Sequence, residues 1–153
     1  MGATDFDFLP GEWTVHNRKL VNTLDPACDE WGEFESTSSA EAMMDGAGNL
    51  DHYHVPGYEG FSLRLYDPAK DVWRIWWSST ARPGRLDPPV EGRFAGDGTA
   101  TFETCDVLEG VPIRMRFVWS EISADRARWD QFFSFDDGAE WKRNWTMVLT
   151  RRT

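Results

Sequence analysis

The sequence predicts an all-β fold, a single antiparallel up-and-down β-barrel of about ten strands, and three observations carry that expectation. Several runs alternate apolar and polar residues with period two, turn signals recur at short and even spacing, and no segment of useful length shows the period of a helix. With 153 residues, one domain spanning 1–153 is expected. A chain of that size buries roughly two thirds of the surface its unfolded form exposes. A barrel closes its own edges, so the last strand should pair with the first.

The elements follow in order. Phe6, Phe8 and Leu9 form an apolar knot ahead of a Pro10-Gly11 turn, and the first strand runs over residues 11–21. After a loop at Leu24-Asp25-Pro26-Ala27, residues 30–44 read as a long strand, rich in Thr, Ser and Glu, that bends or bulges. Asp45-Gly46-Ala47-Gly48-Asn49 is a strong turn, and 49–55 returns as its hairpin partner. Beyond Pro56-Gly57, residues 60–66 alternate Phe61, Leu63 and Leu65 with Ser62, Arg64 and Tyr66, the period of a half-buried strand.

Asp67-Pro68-Ala69-Lys70 turns the chain into 71–79. There Trp73, Ile75 and Trp77 share one face, while Val72, Arg74, Trp76 and Ser78 share the other, so both faces need cover. Residues 81–89 contain Pro83, Pro88 and Pro89 and cannot be regular strand; they are either a flap over the barrel mouth or a surface crossover. Residues 90–94 and 99–107 flank a Gly96-Asp97-Gly98 hairpin turn. Residues 111–122 separate Ile113, Met115, Phe117 and Trp119 from Arg114, Arg116, Val118 and Ser120. In 126–135, Trp129, Gln131, Phe133 and Phe135 oppose Arg128, Asp130, Phe132 and Ser134, and in 140–150 Trp141, Trp145, Met147 and Leu149 share a face with Arg143.

A formal net charge of −10 argues against nucleic acid and against an anionic membrane surface, both of which call for a basic stripe. No run approaches the roughly 20 apolar residues of a membrane-spanning helix, and no signal-peptide pattern opens the chain, so a cytoplasmic location is expected. Cys28 and Cys105 are too few for a disulfide framework and are read as thiols. Nine tryptophans, ten phenylalanines and three tyrosines suit strands, interfaces and the walls of a ligand cavity. Tryptophans on both faces of a strand also suggest a homodimer.

The opening Gly11-Glu12-Trp13, behind the short segment that holds Phe6, Phe8 and Leu9, resembles the start of calycin-type barrels, the superfamily of lipocalins, fatty-acid-binding proteins and nitrobindins. That resemblance implies a lipocalin-like barrel with an N-terminal plug. It also implies that an arginine near the end of the last strand, here Arg151 or Arg152, lies across Trp13, a contact worth about 0.5–2 kcal/mol. Nearly the whole chain is similar to a bacterial family of calycin-like proteins without an established activity. The similarity rests on Phe-Asp-Phe-Leu-x-Gly-x-Trp-x-Val-His-x-Arg at the start, Leu-Arg-Leu-Tyr-Asp-Pro in the middle and Trp-x-x-Asn-Trp-x-Met at the end. Nitrobindin-like haem proteins match less well. Their glycine pattern after the Trp is replaced here by Thr14, Val15, His16 and Asn17, and no histidine follows His54, so neither haem nor another cofactor is expected.

Candidate site residues come from groups that could orient or transform a cavity ligand. His52 and His54 project from one strand face, a spacing that permits metal binding if His16 joined them, although no metal is assigned. His16, beside Arg18, is the candidate general acid or base. Arg64, Arg74, Arg114 and Arg116 sit mid-strand, where an inward guanidinium would clamp an anion; Arg74 is the first choice because Trp76 shares its parity. The ligand-binding set is therefore His16, Arg18, His52, His54, Tyr66, Arg74, Trp76 and Arg116. Asp51, Glu91, Glu103 and Asp130 are the carboxylates of interest. Two functions fit: binding of a small, partly apolar and anionic molecule, or a lyase, isomerase or cyclase that uses His16 with an arginine as anion stabiliser.

Overall fold

The computed structural model describes residues 2–152 and shows a closed ten-stranded antiparallel barrel. The strands are β1 (Gly11–Leu20), β2 (Trp31–Met43), β3 (Gly48–Val55), β4 (Tyr58–Asp67), β5 (Val72–Ser79), β6 (Val90–Phe94), β7 (Ala100–Leu108), β8 (Val111–Ser120), β9 (Arg126–Ser134) and β10 (Lys142–Arg151). Each strand pairs with its sequence neighbours, and β10 closes on β1 in a register running from Trp13 opposite Arg151 to Lys19 opposite Trp145. The expected number of strands and their closure are both observed. Among the described residues no helix is long and apolar enough to cross a membrane, and Cys28 and Cys105 are free thiols.

One end of the barrel is stoppered. Phe6 meets Trp73 and Phe94 edge-on at centroid distances of 5.0 Å and also touches Trp119 at 6.0 Å, which fills the space where β5, β6 and β8 converge. Such edge-to-face pairs add about 0.5–1.5 kcal/mol beyond the area they bury. Trp13 is fully buried, and its indole N–H donates to the Leu9 carbonyl at 2.7 Å. The Arg151 guanidinium lies 4.3 Å over the Trp13 ring and donates to the carbonyls of Pro10 (2.8 Å) and Phe8 (2.5 Å). Arg151 thus ties the plug to the barrel, as the resemblance implied. Gly11 permits this approach: its φ is 127°, and a side chain there would run into the Arg151 guanidinium.

The inner face of β1 carries Trp13, Val15, Asn17 and Lys19, and the register carries that parity around the barrel. The alternations read in β5, β8 and β9 match it: Ile75, Trp77, Phe117, Trp119, Trp129 and Gln131 all reach the interior. Two strands depart from the reading. In β4 the apolar residues Phe61, Leu63 and Leu65 face outward, while Ser62 and Arg64 are buried inside. Leu63 aligns with Leu50 on one side and Trp76 on the other, so the outward set makes its own apolar strip across three strands. Gly60 is needed on the inner face, because a Cβ there would come within 2.5 Å of the Trp77 ring. In β10 the pairing register slips between Arg143 and Trp145. Trp141 therefore does not share the face of Trp145; it lies outside, with the Arg116 guanidinium 3.9 Å above its ring.

Candidate ligand cavity

The half of the barrel away from the plug is open. It encloses a cavity of about 240 Å³ whose walls include Trp77, Phe117, Trp119, Trp129, Phe133 and Trp145. Its floor, next to the plug, is the buried Arg64, whose guanidinium carbon lies 5.3 Å from the Phe6 ring and 5.8 Å from Trp119. Arg64 Nη1 contacts Asp51 Oδ2 at 2.6 Å and donates to Asn49 Oδ1 at 3.0 Å, and both charged side chains are at least nine-tenths buried. Among the described residues Arg64 Nε has no hydrogen-bond partner. Higher on the wall, Asn17 Oδ1 accepts from the Tyr53 hydroxyl at 3.0 Å and the Trp145 indole N–H at 3.1 Å, while its amide donates to Ser36 Oγ at 2.8 Å. These groups satisfy one another. Burial also pushes the Tyr53 pKa up to about 12, so Tyr53 stays a neutral hydroxyl near neutral pH.

The proline-containing segment after β5 lies across the mouth, where Ala81, Arg82, Asp87 and Pro88 line the cavity. It is a tethered strap. The Asp87 N–H donates to the Trp77 carbonyl at 2.7 Å, the Ser78 hydroxyl donates to the Arg85 carbonyl at 2.7 Å, and Arg82 Nη1 sits 3.0 Å from Asp87 and 3.2 Å from Asp106. Burial raises the Asp87 pKa above the usual carboxylate range, opposed by Arg82 and reinforced by Asp106.

Lys19 is the remaining cation of the lining. It projects inward at the mouth end of β1, with Nζ 4.0 Å over the Trp145 ring, and among the described residues it makes no ion pair. Burial lowers its pKa from the ordinary lysine value. The lining holds three cations, Lys19, Arg64 and Arg82, and three carboxylates, Asp51, Asp87 and Asp106. Arg64 is matched by Asp51, and Arg82 by the two others, which leaves Lys19 as the cation without a counter-ion.

The residues proposed from sequence lie mostly elsewhere, because their parity is opposite to that of the inner face. His16 is on the outer surface, with Nδ1 2.6 Å from Glu35 and Nε2 2.9 Å from Glu33. Arg18 is outside, 4.4 Å over the Trp31 ring. His52 is outside and bonded to Glu59 at 2.6 Å, and His54 is exposed beside it, the two rings 6.4 Å apart. Arg74 is outside between Asp67 and Glu91, Trp76 shares its outward face, and Arg116 is outside on Glu103 at 2.8 Å. Tyr66 points inward, but it lies at the stoppered end, where its hydroxyl donates to Asp71 at 2.7 Å, and it does not line the cavity. Among the described residues no group of three or more His, Cys, Asp or Glu side chains could hold a metal. The structure thus corrects the placement of His16, Arg18, His52, His54, Arg74, Trp76 and Arg116 inside the barrel. Lys19 was missed because it reads as an ordinary surface lysine next to Arg18; extending the alternation Trp13, Val15, Asn17 by one step would have found it.

Hydrogen bonds to Glu35 and then Glu33 raise the His16 pKa above its ordinary value. A raised folded-state pKa gives stabilisation that is fully present below the unfolded value of about 6.5 and lost as pH rises through the folded pKa. Half-exposure keeps the contribution small. In an NMR titration His16 is expected to titrate above about 6.5 and to stay unmoved by a cavity ligand. A His16 shift that follows ligand occupancy would contradict its place outside the wall.

No family model matches the chain, and no curated protein matches it. Solved structures do match. The S-type phycobiliprotein lyase CPES from Guillardia theta superposes with a TM-score of 0.66 at 10% identity, covering 100% of this chain and 94% of that chain. Rv2717c from M. tuberculosis superposes with a TM-score of 0.66 at 10% identity, covering 99% of this chain and 98% of that chain. At this identity the likeness is one of fold alone.

Proposed function

We propose that the barrel binds one small, flat, largely apolar molecule carrying an acidic group, its ring system against the tryptophan-lined walls and its acid against Lys19. The observation that carries this reading is an ammonium in an aromatic cavity with no counter-ion among the described residues. A charge-assisted hydrogen bond to a carboxylate would supply the missing partner beside the aromatic wall. At about 240 Å³ the cavity falls below the roughly 300–1,000 Å³ typical of drug-sized sites, which favours a one- or two-ring compound. The likeness to a barrel named as a phycobiliprotein lyase is compatible with a cavity ligand. The enzyme reading built on His16 has no support in the geometry, since that imidazole lies on the far side of the wall from the cavity.

Calorimetric titration with 2-naphthoate and with the neutral 2-naphthamide of similar shape tests the reading. The acid is expected to bind at least about tenfold more tightly, since a hydrogen bond to a charged group contributes about 1.5–3 kcal/mol. Equal affinity for the two would remove Lys19 as the anchor, and binding of neither would remove the cavity as a site for such rings.

A further inference from the structure

The chain has three lysines, Lys19, Lys70 and Lys142, and they differ in a way that bears on covalent chemistry. Lys70 is exposed in the turn between β4 and β5. Lys142 spends its protons on backbone, donating to the carbonyls of Pro26 and Cys28. Lys19 is only partly exposed and has no hydrogen-bond acceptor among the described residues, and its amine stands over the Trp145 ring at the mouth of an aromatic cavity. We infer that Lys19 is also a carbonyl-capturing amine, one that forms a Schiff base with small aromatic aldehydes held in the barrel. This rests on the same placement of Lys19 in the cavity as the proposal above, but not on the ligand's being an acid.

An amine must be uncharged to attack a carbonyl, and apolar surroundings favour that form; the lowered pKa of Lys19 agrees with the geometry. The aromatic walls hold a flat aldehyde beside the nitrogen, which makes the encounter intramolecular. The nitrogen lone pair forms a C–N bond to the carbonyl carbon as the C=O π electrons move to oxygen. A proton passes from nitrogen to that oxygen through solvent at the mouth, giving a carbinolamine. Protonation of the hydroxyl and loss of the nitrogen proton then expel one water and leave a C=N imine. One water leaves for each aldehyde captured, and nothing is oxidised or reduced.

The test uses 2-naphthaldehyde at neutral pH with sodium cyanoborohydride, which reduces the imine to a stable secondary amine, followed by mass spectrometry of the intact chain and its peptides. The expected result is a single added group on Lys19, blocked by excess 2-naphthoate in the wild-type chain and lost in Lys19→Arg. Label spread evenly over Lys70, Lys142 and the N-terminal amine, with 2-naphthoate still bound, would overturn the Schiff-base inference and leave the binding proposal standing. Absence of both label and 2-naphthoate binding would overturn the two together.

Discussion

Replacing Asp51 by Ala is expected to cost the fold about 3–5 kcal/mol, the usual effect of removing one partner of a buried ion pair. Arg64 would keep its charge at the cavity floor with only the Asn49 carbonyl oxygen against Nη1, and its Nε already has no partner. The low dielectric that strengthens the pair makes the orphaned cation costly. The double variant Asp51→Ala/Arg64→Met, which withdraws both charges, should recover most of the loss. Urea unfolding of the two variants measures the difference. A loss below about 1 kcal/mol in the single variant would mean that solvent reaches Arg64 freely.

Replacing Trp13 by Ala is the second large effect, also about 3–5 kcal/mol, because a fully buried indole is exchanged for a void. The loss is not only volume. The Leu9 carbonyl gives up its indole donor and the Arg151 guanidinium gives up the ring beneath it, so the plug loosens where it meets β1 and β10. Trp13→Phe keeps a ring under Arg151 and should lose clearly less. Thermal unfolding of both variants checks this order. Equal losses would show that neither the filled space nor the ring beneath Arg151 matters, and that the indole N–H bond to the Leu9 carbonyl, which both variants lack, accounts for the effect.

The fold was legible because its signals are local and repeated. Turn sequences such as Asp45-Gly46 and Asp136-Asp137-Gly138 stand where strands end, and Ile113, Met115, Phe117 and Trp119 alternate in step with the barrel wall. The site was far less legible, since which side of a strand faces inward is a property of its neighbours as well as of its own composition. Phe61, Leu63 and Leu65 look like a core face, yet they lie outside, with Leu63 in register with Leu50 and Trp76, and the inner face is given to Gly60, Ser62 and Arg64. The register slip after Arg143 likewise turns Trp141 outward, with no signature that local alternation can reveal. Histidine drew attention as a chemical residue, but His16, His52 and His54 fall on the opposite parity from Val15, Asn17 and Tyr53. Asn17 and Lys19 are polar steps on an otherwise apolar face, and the interior is where polarity becomes informative.

Whether Lys19 is an unpaired ammonium inside the cavity, completed by a ligand's acid, is directly measurable. Because the chain has only three lysines, reductive ¹³C-methylation makes each amine separately visible by NMR. The measurement is the pH titration of those methyl signals with and without 2-naphthoate. Lys19 is expected to titrate below the ordinary lysine range in the free protein and to move back up when the carboxylate binds. A Lys19 signal that titrates in the ordinary lysine range and does not respond to 2-naphthoate would contradict it.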